Sequence, residues 1–158
     1  MSEIAVRRIT IDDLEGTFQL VQEFKKEALD SIPVSFDETT VMGIIVSSIS
    51  QDIPRIYVAL DGGVIGLIAG VVLPSYFDKN KITSMELMWY VNQAHRGTSA
   101  GIKLMKEMEL YAKERGADTL VMIAPYYSPS SKDVSKLYER YGYKRLETHY
   151  IKELNKGG

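Results

Sequence analysis

The 158-residue chain contains no cysteine, and that single absence removes thiol nucleophiles, paired-cysteine redox motifs, disulfide frameworks and thiolate zinc sites. Histidine is scarce as well. His95 and His149 are the only two, too far apart to present two imidazoles on one helix, so no metal is expected. There is no basic excess: 19 Lys and Arg against 21 Asp and Glu leave a net charge of -2, which gives no electrostatic footprint for nucleic acid. No apolar run approaches the roughly 20 residues that span a bilayer. The longest, Gly62 to Leu73, carries four glycines. The opening Met1-Ser2-Glu3-Ile4-Ala5-Val6-Arg7-Arg8 lacks the apolar core of a signal peptide. A soluble cytoplasmic protein with no membrane partner is the expectation.

What is present, 45% apolar and 25% charged residues with 12 Gly and 5 Pro, is the profile of one globular domain over residues 1–158. A chain of this size buries roughly 70% of the surface its unfolded form exposes, so the core needs no covalent or metal support.

Ile4 to Ile9 reads as a first strand, and Thr10 with Asp13 three residues on forms a capping box. Leu14, Phe18, Val21, Phe24 and Ala28 then fall on one helical face, ended by Ile32-Pro33. Asp37 caps a second helix over Glu38 to Ser50. Alternation in Arg55 to Leu60, the Asp61-Gly62 turn and Val64 to Leu73 predict an antiparallel hairpin. A further strand follows from Ile82 to Val91. Gly101, Leu104, Met105, Met108 and Ala112 stripe a helix stopped by Gly116. Thr119 to Ala124 is the next strand, Pro125 to Ser130 a Pro/Ser-rich loop, Lys132 to Arg140 a helix and Tyr143 to Lys152 a last strand. The order β-α-α-β-β-β-α-β-α-β predicts a mixed α/β (α+β) sheet.

Between the fourth strand and the third helix lies Val91-Asn92-Gln93-Ala94-His95-Arg96-Gly97-Thr98-Ser99-Ala100-Gly101-Ile102. Small residues let the N–H groups of Gly97 to Gly101 converge on an anion, with the positive end of the helix dipole behind them. Arg96 offers a charge-assisted contact and Ser99 a hydroxyl. Simple tight packing between strand and helix explains the same small residues.

Arg96, Gly97, Thr98, Ser99, Ala100 and Gly101 resemble the acetyl-CoA loop of the GNAT superfamily of N-acetyltransferases, with Ser99 where the middle glycine is expected. That serine requires a negative φ. Leu137-Tyr138-Glu139-Arg140-Tyr141-Gly142-Tyr143 is similar to the family's second signature, and the element order matches along nearly the whole chain. The resemblance implies fourth and fifth strands that splay apart around the pantetheine arm of acetyl-CoA. It implies that backbone near Val91 holds the acetyl carbonyl and pantetheine, Arg96 to Gly101 the pyrophosphate, and that Tyr138 sits beside the sulfur. Ser131 stands where many members have a cofactor-contacting Asn. The helical pair over Ile11 to Ser50 is expected to shape the acceptor site.

Acetyl transfer to an amine needs the amine neutral, yet an alkylamine with a pKa near ~10 is protonated at neutral pH. A base must take that proton, and the departing thiolate needs one in return. Tyr138 is the candidate acid. Glu86, a carboxylate within the apolar run Met85-Glu86-Leu87-Met88-Trp89-Tyr90-Val91, is the candidate base, because burial raises a carboxyl pKa. The alternative is a charge on the other face of the sheet with an ion-pair partner. Trp89, Tyr90, Tyr126 and Tyr127 serve either an acceptor pocket or the core, and His95 is expected to be solvated.

The expected activity is transfer from acetyl-CoA to a primary amine, on a small molecule or a peptide, in a ternary complex, with a homodimer as an open possibility. A non-catalytic acyl-CoA-binding module is a second reading. A third is a serine hydrolase, since Gly97-Thr98-Ser99-Ala100-Gly101 is a GxSxG with Asp118 or Asp133 and His149 following.

Overall fold

The computed structural model describes residues 3–126 and 131–155, without the side chain of Ser131. The chain forms two compact units, residues 1–23 with 37–123 and residues 24–36 with 124–158.

The first unit is built on a five-stranded sheet in the order β1-β2-β3-β4-β5. Its strands are β1 Ala5–Arg8, β2 Arg55–Leu60, β3 Val64–Pro74, β4 Ile82–Val91 and β5 Thr119–Val121. All neighbours are antiparallel except β4 and β5, which run parallel. Helices α1 (Leu14–Phe24) and α2 (Glu38–Gln51) separate β1 from β2, and α3 (Ala100–Glu114) separates β4 from β5. Ala100, Leu104, Met108 and Tyr111 on α3 form the core with Ile4, Tyr57, Ala59, Ile65 and Ile68.

Local chemistry sets the element ends. The Asp13 carboxylate accepts from the Thr10 N–H at 2.8 Å and from both ends of the Arg7 guanidinium at 2.7 and 3.0 Å. Burial raises the Asp13 carboxyl, but these donors outweigh it and hold the group below the ordinary carboxylate range. Asp37 Oδ2 accepts the Thr40 N–H at 2.8 Å and opens α2. Gly62, at φ +71°, turns the chain from β2 into β3.

Two strand expectations are corrected. β5 stops at Val121 rather than Ala124, because the N–H of Ile123 is directed to a side chain, not a ladder carbonyl. The strand expected over Tyr143 to Lys152 is not formed: the described residues 143–155 carry no ladder. Alternating sequence supplies strand propensity, but a strand exists only against a partner.

The second unit contains the π-helical turn Lys25–Leu29 and α4, Ser131–Arg140. Gly142, at φ +88°, ends α4, and the Tyr143 N–H donates to the Tyr138 carbonyl at 3.0 Å.

Candidate active site

The register of β3 against β4 places Glu86. Ala69 pairs with Met88 and Gly70 with Glu86, so Leu87 is an extra residue, a β-bulge. Directly paired residues share a sheet face. A Cβ on Gly70 would meet Met108 Sδ at 2.7 Å, so Gly70, and Glu86 with it, faces α3. Beyond the bulge Trp89 and Val91 pack toward the same core. Without Leu87 as an extra residue, Glu86 and Trp89 could not share a face.

The β4–β5 ladder ends at Met85 and Val121, although β4 continues to Val91. Just past that end, Glu86 Oε2 accepts the Ile123 N–H at 3.1 Å. The carboxyl thus takes the hydrogen bond that another rung would have used, and the two strands part there. Glu86 is only 3% exposed. Burial pushes its carboxyl from the ordinary 4.5 up to about 8, against partial relief from the Ile123 N–H. Among the described residues no cation pairs with it.

The connection from β4 to α3 is ordered by its own polar groups. Asn92 Oδ1 accepts from the His95 N–H at 3.1 Å and lies 2.8 Å from His95 Nδ1, and His95 Nε2 is 3.4 Å from Asp61 Oδ2. His95 is therefore a half-buried brace between this loop and the β2–β3 turn, not a solvated side chain. Asparagine ahead of the short helical turn Gln93–His95 is a legible capping signal that points to this brace. The Ile123 amide has no such signal, since its role depends on where the ladder stops.

Thr98 Oγ1 donates to the His95 carbonyl at 2.6 Å and accepts from the Ala100 N–H at 3.3 Å. The first intrahelical bond of α3 runs from the Lys103 N–H to the Ser99 carbonyl, so the Gly101 and Ile102 N–H groups have no intrahelical acceptor. Two donors at the positive end of a 15-residue helix suit a phosphate-bearing ligand. Arg96 is differently engaged. Its Nε donates to the Val91 carbonyl at 3.0 Å, and its guanidinium lies 5.3 Å from the Tyr90 ring centroid. Arg96 and Val91 thus meet, with that carbonyl already accepting a hydrogen bond.

The two loop glycines differ. Gly97 sits at φ +83°, whereas a Cβ on Gly101 would meet Trp89 at an ordinary 3.5 Å and its φ is not positive. Gly97→Val is expected to weaken CoA binding at least tenfold by titration calorimetry, while Gly101→Ala leaves affinity within about twofold. Equal losses from both would show that neither conformation matters to the ligand.

Ser99 has φ −74° and ψ −5°, ordinary right-handed geometry that accommodates serine in place of glycine. A nucleophile elbow needs a strained turn at that serine. His149 is exposed and bonded to Glu147 at 2.9 Å, and Asp118 accepts the Ile82 N–H at 3.0 Å. The hydrolase reading fails on the serine's own conformation. Ser99→Ala is accordingly expected to retain most activity, and a fluorophosphonate should leave Ser99 unlabelled; stoichiometric labelling there would reinstate the hydrolase.

Tyr138 lies on α4, 7% exposed, its ring centroid 5.5 Å from that of Tyr143. Tyr90 is buried, Trp89 packs on the core and Tyr126 is exposed. Tyr127 and the Ser131 side chain lie outside the described residues. Among the described residues no group of three or more His, Asp or Glu could hold a metal ion, and no helix is long and apolar enough to cross a membrane.

The family model described as the acetyltransferase (GNAT) domain matches residues 52–145. No curated protein matches. Among solved structures, the ribosomal-protein-alanine N-acetyltransferase of Brucella melitensis biovar Abortus 2308 is 21% identical, with a TM-score of 0.75 over 97% of this chain and 100% of that one. The AAC(6')-Iy structure with the bisubstrate analog CoA-S-monomethyl-acetylneamine is 15% identical, with a TM-score of 0.74 over 98% of this chain and 99% of that one. A transcriptional regulator from Bacillus halodurans C-125 is 18% identical, with a TM-score of 0.75 over 96% of this chain and 100% of that one. At these identities the likeness is one of fold.

Proposed function

The chain belongs to the GNAT family of acetyltransferases, and on that premise we propose that it moves an acetyl group from acetyl-CoA to a primary amine by direct transfer, with both substrates bound together. The observation that carries this reading is the parting of β4 and β5 at Glu86, beside the end of the Met85–Val121 rung. When bound, acetyl-CoA supplies the acetyl group activated as a thioester.

The residues of the chain divide the remaining work. The Gly101 and Ile102 N–H groups, reached through the turn at Gly97, hold the pyrophosphate. Thr98, Ser99 and Ala100 shape that turn, and Arg96 staples it to Val91. The backbone of β4 near Val91 orients the acyl arm. Glu86, as the carboxylate, accepts the proton that the amine must lose. The Tyr138 hydroxyl gives a proton to the departing sulfur. Ser131 stands at the start of α4 as a further cofactor contact. Direct transfer agrees with the absence of cysteine, which leaves no thiol to carry an acetyl group.

The acceptor is an amine on a small molecule or a peptide. The relatives named above motivate a panel of aminoglycosides, polyamines, amino acids, peptides with N-terminal alanine and lysine peptides, each assayed for thiol release from acetyl-CoA. One acceptor with turnover and intersecting double-reciprocal plots supports the proposal. Parallel plots would overturn direct transfer, and absence of both CoA binding and thiol release would overturn the reading itself.

A further inference from the structure

We propose that His95, as the imidazolium, is the positioning residue of the loop before α3: its ring ties the loop to Asp61 on the β2–β3 turn, and loss of its second proton weakens CoA binding. The inference rests on the reading of this loop as the cofactor site.

The hydrogen bonds fix the state of the ring. Asn92 Oδ1 accepts the His95 backbone N–H at 3.1 Å, and an amide NH2 turned to that N–H would set donor against donor, so the oxygen is the atom placed there. The same oxygen lies 2.8 Å from His95 Nδ1. Nδ1 therefore carries a proton. The other ring nitrogen, Nε2, stands 3.4 Å from Asp61 Oδ2. In the neutral Nδ1–H ring a lone pair faces that carboxylate, whereas in the imidazolium a second N–H does. Only the charged ring suits both neighbours. The side chains of His95 and Asp61 are 27% and 30% exposed, so the ring stays open to proton exchange with water. Arg96, the cation beside it in the chain, donates through Nε to the Val91 carbonyl and lies over the Tyr90 ring.

The backbone couples this ring to the ligand end of α3. The His95 carbonyl accepts from the Thr98 hydroxyl at 2.6 Å and from the Thr98 N–H at 3.3 Å. Thr98 Oγ1 in turn accepts the Ala100 N–H at 3.3 Å. Ala100 opens α3 and is fully buried, so this relay sets where the helix begins. With the Ala100 N–H taken by Thr98, the Gly101 and Ile102 N–H groups are left for an anion. His95 acts on them through Thr98. Asp61 arrives from a separate turn, so the loop's own sequence gives its carboxylate no reason to influence CoA affinity.

Titration calorimetry of CoA with the full-length chain tests the assignment. From pH 6 to pH 8.5 the parent's Kd should rise about three- to fivefold, the scale of one solvent-exposed ion pair. CoA gains phosphate charge as pH rises, which favours a site of N–H donors, so the ligand's own titration has the opposite sign. His95→Gln keeps Glu86 and has an amide that can donate to Asn92; its Kd should not rise with pH. Asp61→Asn should weaken binding at pH 6 by about three- to fivefold, although removing a negative charge beside an anion site would by itself tighten it. The double variant should bind no more weakly than either single one. A parent whose Kd does not rise with pH, tighter binding by Asp61→Asn, or additive losses in the double variant would each overturn the proposal. A ligand-free readout stands beside these. His149 is the only other histidine, so nitrogen NMR resolves both rings, and at pH 8.5 His95 should be the Nδ1–H tautomer; the Nε2–H tautomer would overturn the assignment. No CoA binding by the folded parent at pH 6 would overturn the cofactor reading and the positioning role with it. Binding without the pH and coupling effects would overturn the positioning role alone.

Discussion

Glu86→Gln is expected to abolish a pH dependence of stability and, in the same protein, to lower turnover by about 10²-fold or more. The sign follows from the direction of the shift. The Glu86 carboxyl lies at about 8 in the folded chain and at an ordinary 4.5 when unfolded, so between those pH values the folded state binds the extra proton. Stability therefore falls as pH rises through this window, and below its lower end the group contributes no such slope. The full loss above pH 8 is on the order of 5 kcal/mol. Glutamine has no charge to bury and still accepts the Ile123 N–H through its amide oxygen. Parent and variant should then match within about 1 kcal/mol at pH 5 and diverge by several kcal/mol at pH 9 in urea unfolding. Parallel curves would show that the carboxyl does not titrate in this window.

The same shift sets the activity profile. At pH 7 only about a tenth of a carboxyl with this pKa is ionised and able to accept a proton. The parent's kcat/KM should climb through an acidic limb near pH 8, and Glu86→Gln should lack that limb. A variant that is stabilised at high pH but keeps full turnover would leave Glu86 a buried structural acid and move the base elsewhere. The stability and activity arms can fail separately, which makes this variant informative in either case.

How far the sequence discloses these features depends on the range of the interaction behind each. Thr10 with Asp13, Asp37 ahead of α2 and Gly62 after Asp61 act over a few residues, and their caps and turn are where those residue types require them. The anion-suited end of α3 is similarly legible, since small residues before a striped helix specify it. The orientation of Glu86 is not local. Plain alternation puts residues 84, 86, 88 and 90 on one face, and the bulge at Leu87, fixed by pairing with Ala69 and Gly70 on β3, changes the face for everything after it. The brace at His95 is hidden from local reading for a related reason, because its partner Asp61 arrives from a different turn. The segment 143–152 shows the opposite case: its local propensity for strand is plain, yet the described residues carry no ladder there, because a strand depends on a partner remote in sequence.

Tyr138→Phe is expected to lower kcat by about 10²-fold with little change in the KM for acetyl-CoA. A thiolate whose conjugate acid has a pKa near ~8.5 is a better leaving group when a proton reaches it as the bond breaks, and a phenol hydroxyl is a suitable donor. The substitution is conservative for structure. Phenylalanine keeps the ring that lies 5.5 Å from Tyr143, and the backbone at this position is held by the Tyr143 N–H on the Tyr138 carbonyl and by the turn at Gly142. Melting temperature and CoA affinity should therefore stay close to the parent's, which separates a lost proton donor from a damaged fold. If proton delivery limits the parent, its kcat should show a normal solvent deuterium isotope effect that shrinks in the variant as unassisted departure takes over. Unchanged turnover in Tyr138→Phe would remove the hydroxyl from the mechanism and leave the sulfur to be protonated by solvent.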